Sequence, residues 1–322
     1  MPTIRSLVPA LAAAAALAGP AQAGIVNLGA PIGGANLYAV HNVTAPSSDV
    51  EGAVVAGGNV TVSSYSINAL DKDAFGSNGY ALVAGGNLSL TGGSISNGKA
   101  YVGGSTSLTW AAAPTVSTTN PIDFKATETY YKTLANALGD LDPTGSVSRL
   151  WSGVKVTGSG AGGVDIFDVS ADLFANSSSW TLEKLVPGET LIFNVSGAAG
   201  TFNNGGISFE PLSGYNVLFN FYEATSIDVR GVIGSVLAPY ATQSANWGVI
   251  NGQVIVDNWS STVQVNANHY FSAVDVPGFS MGGSNQPSGG NATLPAKDVP
   301  EPASIALFLL GLGAAALARR RR

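Results

Sequence analysis

The pattern of apolar and polar positions repeats along the first third of the chain. Residues 51–62 read EGAVVAGGNVTV, and residues 80–90 repeat this order as YALVAGGNLSL. A weaker copy, AYVGGSTSL, occupies residues 100–108, with its glycine pair 18 residues after that of the second copy. Short apolar strands separated by Gly-Gly-Asn turns at this period predict a mainly β fold, specifically a β-solenoid whose turns stack on one another. Similar strand spacing is also typical of a β-sandwich, which is the alternative.

The glycines of these turns are expected to resist substitution. A positive φ at Gly57 or Gly85 would explain such a requirement, because only glycine adopts that conformation without cost.

One segment departs from the strand pattern and predicts a helix over about 121–139. Asn120 can cap it, Pro121 suits its first position, and Gly139 follows its last turn. We expect the helix to flank the stacked strands, because its apolar residues share one face. These residues are Phe124, Tyr131, Leu134, Leu138 and Leu141.

The first 23 residues have the three parts of a secretory signal peptide. An arginine near the start precedes an apolar run, and the small residues Ala21 and Ala23 occupy the positions before the cleavage site. We therefore expect cleavage after Ala23 and export of the mature chain. The folded β domain is expected at 24–278, followed at 279–298 by a linker rich in Gly, Ser, Asn and Pro.

The region 299–322 combines a short motif, an apolar helix and a basic cluster. Residues 303–318 carry no charge, and as a helix they would span about 24 Å, which makes them a marginal transmembrane segment. The basic cluster favours a cytoplasmic C-terminus. The motif is Val299, Pro300, Glu301 and Pro302, and the cluster is Arg319, Arg320, Arg321 and Arg322.

This order of parts resembles the PEP-CTERM sorting signal of Gram-negative bacteria. The resemblance implies that the secretion machinery exports the chain and that an exosortase recognises Pro300, Glu301 and Pro302 and cleaves nearby. It also implies a transient inner-membrane anchor, followed by release towards the outer cell surface or the extracellular matrix.

Five separated blocks of the folded region resemble the choice-of-anchor A family. The resemblance implies a β-rich surface domain with an adhesive role, and it transfers no catalytic residue. The blocks are DVEGAVVAGGNVTVSSYSI at 49–67, IDF at 122–124, LIFNVSG at 191–197, NVLFNFYEATSIDV at 216–229 and GSVLAPYATQSANWGVINGQVIV at 234–256.

Composition narrows the possible chemistry. The 322 residues include 41 Gly and no Cys, which excludes disulfides and thiolate metal sites. The formal net charge is -6, and five of the 14 basic residues lie in the two terminal signals, so 9 basic residues remain against 20 acidic ones. Such an acidic body makes nucleic acid an unsuitable partner.

The sequence predicts no catalytic, cofactor-binding or metal-ligating residue. A G-x-G-x-x-G pattern at 158–163 precedes a strand pattern, whereas a nucleotide site needs a helix there. His41 and His269 have no evident partner. We expect no cofactor, although acidic pairs leave calcium binding open. The pairs are Asp49/Glu51, Asp71/Asp73, Asp140/Asp142 and Asp165/Asp168.

These observations predict a non-enzymatic, exported cell-surface or matrix protein. Its role is expected to be adhesive or associated with exopolysaccharide and biofilm, with exopolysaccharide or another surface polymer as partner. The alternative is a glycosidase or lyase on a β-helix scaffold. Exposed aromatic side chains could stack on sugar rings, but we expect most of the five tryptophans in the core. They are Trp110, Trp151, Trp180, Trp247 and Trp259.

Overall fold

Parallel strand pairing dominates the protein, as a computed structural model shows for residues 24–70, 79–202 and 207–281. The mainly β prediction is confirmed. Four predicted features lie wholly or mainly outside the described residues: the signal peptide, the acidic pair Asp71/Asp73, the linker at 279–298 and the sorting signal with its apolar helix. Helices are few among the described residues: α1 (Phe124–Gly139), α2 (Ala171–Ala175) and 3-10 turns at Ala30–Ile32 and Glu210–Leu212.

Ten strands form the first of three parallel ladders. Its spatial order differs from the chain order, because the strand that follows residues 254–260 in space is the early strand at residues 37–39. In spatial order the strands are β14 (Val164–Ser170), β16 (Thr190–Ser196), β18 (Asn216–Asn220), β21 (Ser235–Gln243), β23 (Val254–Ser260), β2 (Leu37–Ala39), β5 (Val54–Ala56), β7 (Tyr80–Ala84), β9 (Lys99–Val102) and β11 (Thr115–Ser117).

The second and third ladders run in the same order and share several long strands with each other or with the first. The second contains β17 (Ala199–Thr201), β19 (Ser226–Asp228), the ends of β21 and β23, β3 (Val43–Ala45), β6 (Val60–Ile67), β8 (Leu88–Ile95) and β10 (Thr106–Thr109). The third contains β20 (Val232–Ile233), β22 (Val249–Asn251), β24 (Gln264–Asn266), β4 (Ser48–Val50) and the ends of β6 and β8.

Smaller sheets complete the fold. The first and last described strands, β1 (Gly24–Val26) and β25 (Val274–Val276), form an antiparallel pair. The second small sheet packs with α2 over the β14 end of the ladders. Its strands are β12 (Ser146–Leu150), β13 (Gly153–Thr157) and β15 (Trp180–Glu183).

The core lies on both sides of the first ladder. Alternate residues, such as Leu37 and Val54, enter one buried cluster with residues of the other two ladders. The residues between them, such as Tyr38 and Val55, face the opposite way and pack in a second cluster with α1. Burial on both faces explains why these strands are uninterrupted apolar runs, while strands of the second ladder alternate apolar and polar residues.

Helix α1 runs along the first ladder, as the sequence predicts, but it begins three residues later than expected. Asp123 is the N-cap, and its carboxylate accepts from the Ala126 N–H at 3.0 Å. Asn120 instead accepts from the Ile122 N–H and so stabilises the turn before the helix.

The other end of α1 is held by asparagines of the ladder. Asn194 and Asn220 donate to the helix carbonyls of Leu138 and Ala135 at 2.7 and 2.9 Å. These bonds attach the last turns of the helix to the ladder, and the Leu138 carbonyl also accepts from the Leu141 N–H at 3.3 Å.

The predicted Gly-Gly-Asn repeat forms a column of side chains between the first and second ladders. Asn42 accepts from the Asn59 N–H at 2.9 Å, Asn59 from the Asn87 N–H at 2.8 Å, and Asn87 from the Ser105 N–H at 2.8 Å. Asn258 extends the column by accepting from the Asn42 N–H at 3.1 Å. We call these four asparagines the asparagine column.

Replacing Asn59 by alanine should lower the free energy of unfolding by about 1 kcal/mol, because the Asn87 N–H loses its acceptor. Urea unfolding measures the change. Asn59→Asp keeps an acceptor oxygen and is the matched control, with a smaller expected loss. An Asn59→Ala protein that unfolds at the wild-type urea midpoint would show that the column adds no stability.

Candidate binding face

The outward side of the second ladder is uncovered and carries a row of hydroxyl groups. Interior residues alternate with polar ones along each strand, as in Val60, Thr61 and Val62. The parallel register places Thr44 beside Thr61 and Thr61 beside Ser89. Ser260 pairs with Thr44 and extends the row. Adjacent strands are about 4.8 Å apart, so the hydroxyls repeat at that spacing.

A second row of hydroxyls lies two residues further along the same strands. It contains Ser63 and Thr91, which pair in register. Ser63 donates to the Pro46 carbonyl at 3.0 Å, so its hydroxyl is already engaged. In contrast, no side-chain hydrogen bond engages the hydroxyls of Thr44, Thr61 or Ser89 within the described ranges, and they remain available to a ligand.

The two rows line a shallow groove of about 470 Å³, which we call the hydroxyl groove. Residues 244–246 and 260–262 form one wall. A second depression of about 420 Å³ shares Thr44, Thr61 and Ser260 with the groove and continues towards the asparagine column. Both are lined only by hydroxyl, amide, proline, tryptophan and small aliphatic side chains, so the surface is uncharged.

An exposed tryptophan stands next to the groove wall. Trp247 follows Asn246, and its side chain is 59% exposed. The guanidinium of Arg230 lies 4.3 Å from the centre of its ring, a cation–π contact that orients the indole. Asp228 accepts from Arg230 at 3.3 Å, so the charge of the arginine is balanced locally.

The fates of the five tryptophans differ from expectation. Only Trp259 is fully buried, and Trp180 is partly buried against the core. Trp110, Trp151 and Trp247 are 89%, 90% and 59% exposed, so the expectation that most are in the core is wrong. Two of the exposed ones, Trp110 and Trp151, occupy turn positions with φ near +50°, which keep the side chain outside the packed strands.

The acidic pairs within the described residues lie away from the hydroxyl groove. Asp49 and Glu51 are at the third ladder, where burial and then the Glu51 charge raise the pKa of Asp49. Asp165 is buried at β14 and accepts from Thr144 and from the Ser159 N–H.

The pair Asp140/Asp142 lies at the end of α1, where Asp140 is the C-cap, and Asp142 acts on Asp168 of the last pair. Burial raises the pKa of Asp168, an Asn194 hydrogen bond opposes this, and the Asp142 charge adds to it. No group of three His, Asp or Glu side chains converges on a metal position in 24–70, 79–202 and 207–281.

The other candidates from the sequence do not form a site together. His41 contacts Asp257 at 2.8 Å beside the asparagine column, whereas His269 is exposed on another loop. The glycines at 158–163 form a loop that leads into β14, as the strand pattern predicts.

The sequence gives no prediction of the residues that line the hydroxyl groove. The signal that could have identified them is the alternation of apolar and hydroxyl residues after each asparagine, in NVTA, NVTV and NLSL.

Parallel strands in register thus carry an open, uncharged polar face. The chain belongs to the family described as "Putative Ice-binding-like adhesive domain", which matches residues 29–267. The PEP-CTERM protein-sorting motif matches residues 298–322 and confirms that resemblance. The adhesive description agrees with the surface role that the choice-of-anchor A resemblance implies. No curated protein and no solved structure matches the chain.

These matches identify an exported surface protein that carries an exosortase sorting signal. Among the described helices, none has the length and apolar character needed to cross a membrane.

Proposed function

We propose that this protein is a non-enzymatic adhesin that binds an extracellular polysaccharide through the hydroxyl groove. The observation that carries the proposal is the uncharged row of Thr44, Thr61 and Ser89, repeated at strand spacing on an exposed face. An extended polymer with regularly spaced hydroxyls can form many similar hydrogen bonds along such a row. Trp247, which follows Asn246 of the groove lining and is exposed, is the candidate for stacking on a sugar ring.

The scaffold for this face is inferred to be a β-solenoid. The chain passes repeatedly from the first ladder to the second and then to the third, as in β5, the two halves of β6, and then β7. Registered parallel neighbours at every pass support winding around one axis. Such a scaffold keeps the hydroxyl spacing rigid, so little ordering free energy is lost on binding.

Absence of carboxylates from the groove favours binding over hydrolysis. Glycosidases use a pair of Asp or Glu residues about 5 to 10 Å apart at the scissile bond. The groove lining has none, and the described acidic pairs are elsewhere on the surface or buried. The proposed activity therefore needs no cofactor, and calcium would act only through acidic loops outside the groove.

The sorting signal implies export, which supports an activity outside the inner membrane. We propose that exosortase processing releases the domain to the outer surface or the matrix, where many copies act together. Weak single contacts then combine, since linked binding sites raise the overall affinity.

Deletion of the gene should impair cell aggregation or biofilm cohesion and leave growth on soluble sugars unchanged. Complementation with the wild-type gene should restore cohesion. A gene in which Pro300, Glu301 and Pro302 are replaced by alanine should not, because sorting fails before the adhesin reaches the polymer. Quantified sedimentation of cell aggregates measures this. Unchanged cohesion in the deletion strain would contradict the adhesive role.

A further inference from the structure

The two ends of the stacked ladders are covered differently. At the β14 end, the sheet of β12, β13 and β15 packs with α2 against the core, and Val154, Val156 and Phe174 are fully buried there. At the opposite end, β10 and β11 are the last strands, and each pairs on one side only within the described part of the chain. We call β10, β11 and the connecting residues 110–114 the open end.

The open end exposes positions that are interior elsewhere in the stack. Val116 pairs with Ala100, which belongs to the interior row, yet Val116 is 60% exposed. Leu108 pairs with the fully buried Leu90 but is only partly buried itself. The last turn therefore presents a cross-section of the core. Stacked repeats normally end in a capping unit with a polar outer surface, and exposed strand edges are normally blocked.

Trp110 adds a large apolar side chain at the same end. It follows Thr109 at the corner that Ser64 and Gly92 occupy in the turns beneath, and all three residues have positive φ. A bulky side chain is uncommon in this conformation. Its indole is 89% exposed, so packing within the described domain does not account for a tryptophan at this corner.

The charge distribution favours approach along the axis of the stack. Residues 103–122 contain no Asp, Glu, Lys or Arg, whereas the chain as a whole has a net charge of -6. Two copies that meet at their open ends avoid bringing charged side chains of this segment together. Sideways approach by faces other than the uncharged hydroxyl groove brings two acidic bodies together, which is opposed by like-charge repulsion.

The C-terminal part of the described chain lies away from the open end. The Ser272 N–H donates to Asn216 of β18, and a Cβ built on Gly278 would lie 3.9 Å from the side chain of Leu141, just beyond the end of α1. Both contacts lie towards the covered end of the stack, since Asn194 and Asn220 hold the same end of α1. The segment that leads to the sorting signal therefore does not start from the open end.

We propose that the open end is a self-association surface on which a second copy of this chain docks end to end. The edges of β10 and β11 that pair on one side only are complementary to another strand edge, whereas at the other end α2 and the small sheet lie over β14 and β17 within the described residues. Head-to-tail growth into a fibre is therefore blocked. The remaining arrangement is a closed two-fold dimer in which Trp110 and Val116 of both copies become buried.

This dimer does not depend on polysaccharide binding, because the hydroxyl groove is on the side of the stack. Its contact area is limited to one cross-section, so the association is weak in solution and is strengthened when many copies share a surface. Two copies joined in this way would link the polymers or cells to which their separate grooves bind.

The test compares Trp110→Asn with Trp151→Asn by sedimentation equilibrium of the full chain in detergent. Asparagine tolerates positive φ, so both variants should keep the fold. Trp151 is a matched control, because it is 90% exposed with φ of 51° but lies in the β12–β13 turn at the covered end. All variants share the apolar segment 303–318, so association through that segment affects them equally.

We expect the wild type and Trp151→Asn to form dimers with the same concentration dependence, and Trp110→Asn to dimerise at least tenfold more weakly. Val116→Lys, which places two charges together at the two-fold axis, should weaken the dimer similarly. A wild-type protein that remains monomeric at all concentrations would overturn the proposal, including the case in which its own tail covers the open end. Equal dimerisation of Trp110→Asn and Trp151→Asn would also overturn it, as would growth into open-ended polymers.

Discussion

Replacing Gly85 by alanine should lower the free energy of unfolding by at least about 3 kcal/mol. We expect no larger effect on stability from the addition or removal of a single methyl group. The Gly85 N–H donates to the Ala56 carbonyl at 2.9 Å, and the turn lies directly on the turn beneath it. A Cβ at Gly85 would overlap the carbonyl oxygen of Gly57. Urea unfolding of the purified variant measures the loss.

The reason for this requirement differs from the one that the sequence suggested. Neither Gly57 nor Gly85 has a positive φ, so that explanation does not apply. The constraint comes from the close approach of successive backbones, because a Cβ at Gly57 would likewise overlap the Val40 carbonyl, and one at Gly103 the Gly85 carbonyl. The neighbouring turn, and not the local backbone conformation, excludes a side chain at these glycine positions.

Gly214→Ala is the control for Gly85→Ala. Its Cβ would have no neighbour within 4 Å, and its φ is not positive, so the same substitution should be nearly neutral. Equal unfolding midpoints for Gly85→Ala and the wild type would show that the turns do not stack as described.

Replacing Thr61 by arginine should weaken polysaccharide binding at least tenfold and leave the fold intact. Thr61 is exposed, lines both depressions of the binding face and lies in the middle of the hydroxyl row. A long charged side chain there fills the groove and removes one hydroxyl from the repeat. Binding is measured by co-sedimentation of the purified protein with exopolysaccharide from the producing strain, and the fold by thermal unfolding.

Thr129→Arg controls for the added charge. Thr129 is exposed on α1, which packs on the first ladder, so the same substitution there leaves the hydroxyl groove unchanged. We expect Thr129→Arg to bind like the wild type. If Thr61→Arg and Thr129→Arg bind equally, the groove is not the binding site.

The sequence was informative where the fold depends on local repetition. The Gly-Gly-Asn copies predicted stacked turns, and the structure places Val54 beside Leu82 and Leu82 beside Ala100 in register. The apolar face of α1 was also predicted, because helical periodicity depends on neighbouring residues alone. Its start was misplaced since Asn120 caps a turn instead of the helix.

Other features depend on contacts between distant segments and were not predictable from the pattern. The stack places Leu37 beside Val254, so the first turn lies in the middle of the ladder and not at its end. No local signal encodes this order. The binding face has the same origin, since Thr44, Thr61 and Ser89 become a row only after three separate strands align.

The most direct test of the adhesive function measures binding and cleavage in the same tubes. Purified exported protein is incubated with exopolysaccharide from the producing strain, the polymer is sedimented, and protein in the pellet and new reducing ends in the supernatant are quantified over time. The account predicts saturable recovery of protein with the polymer and reducing ends that stay at the level of the protein-free blank. Protein that remains in the supernatant, or a steady rise in reducing ends, would contradict it.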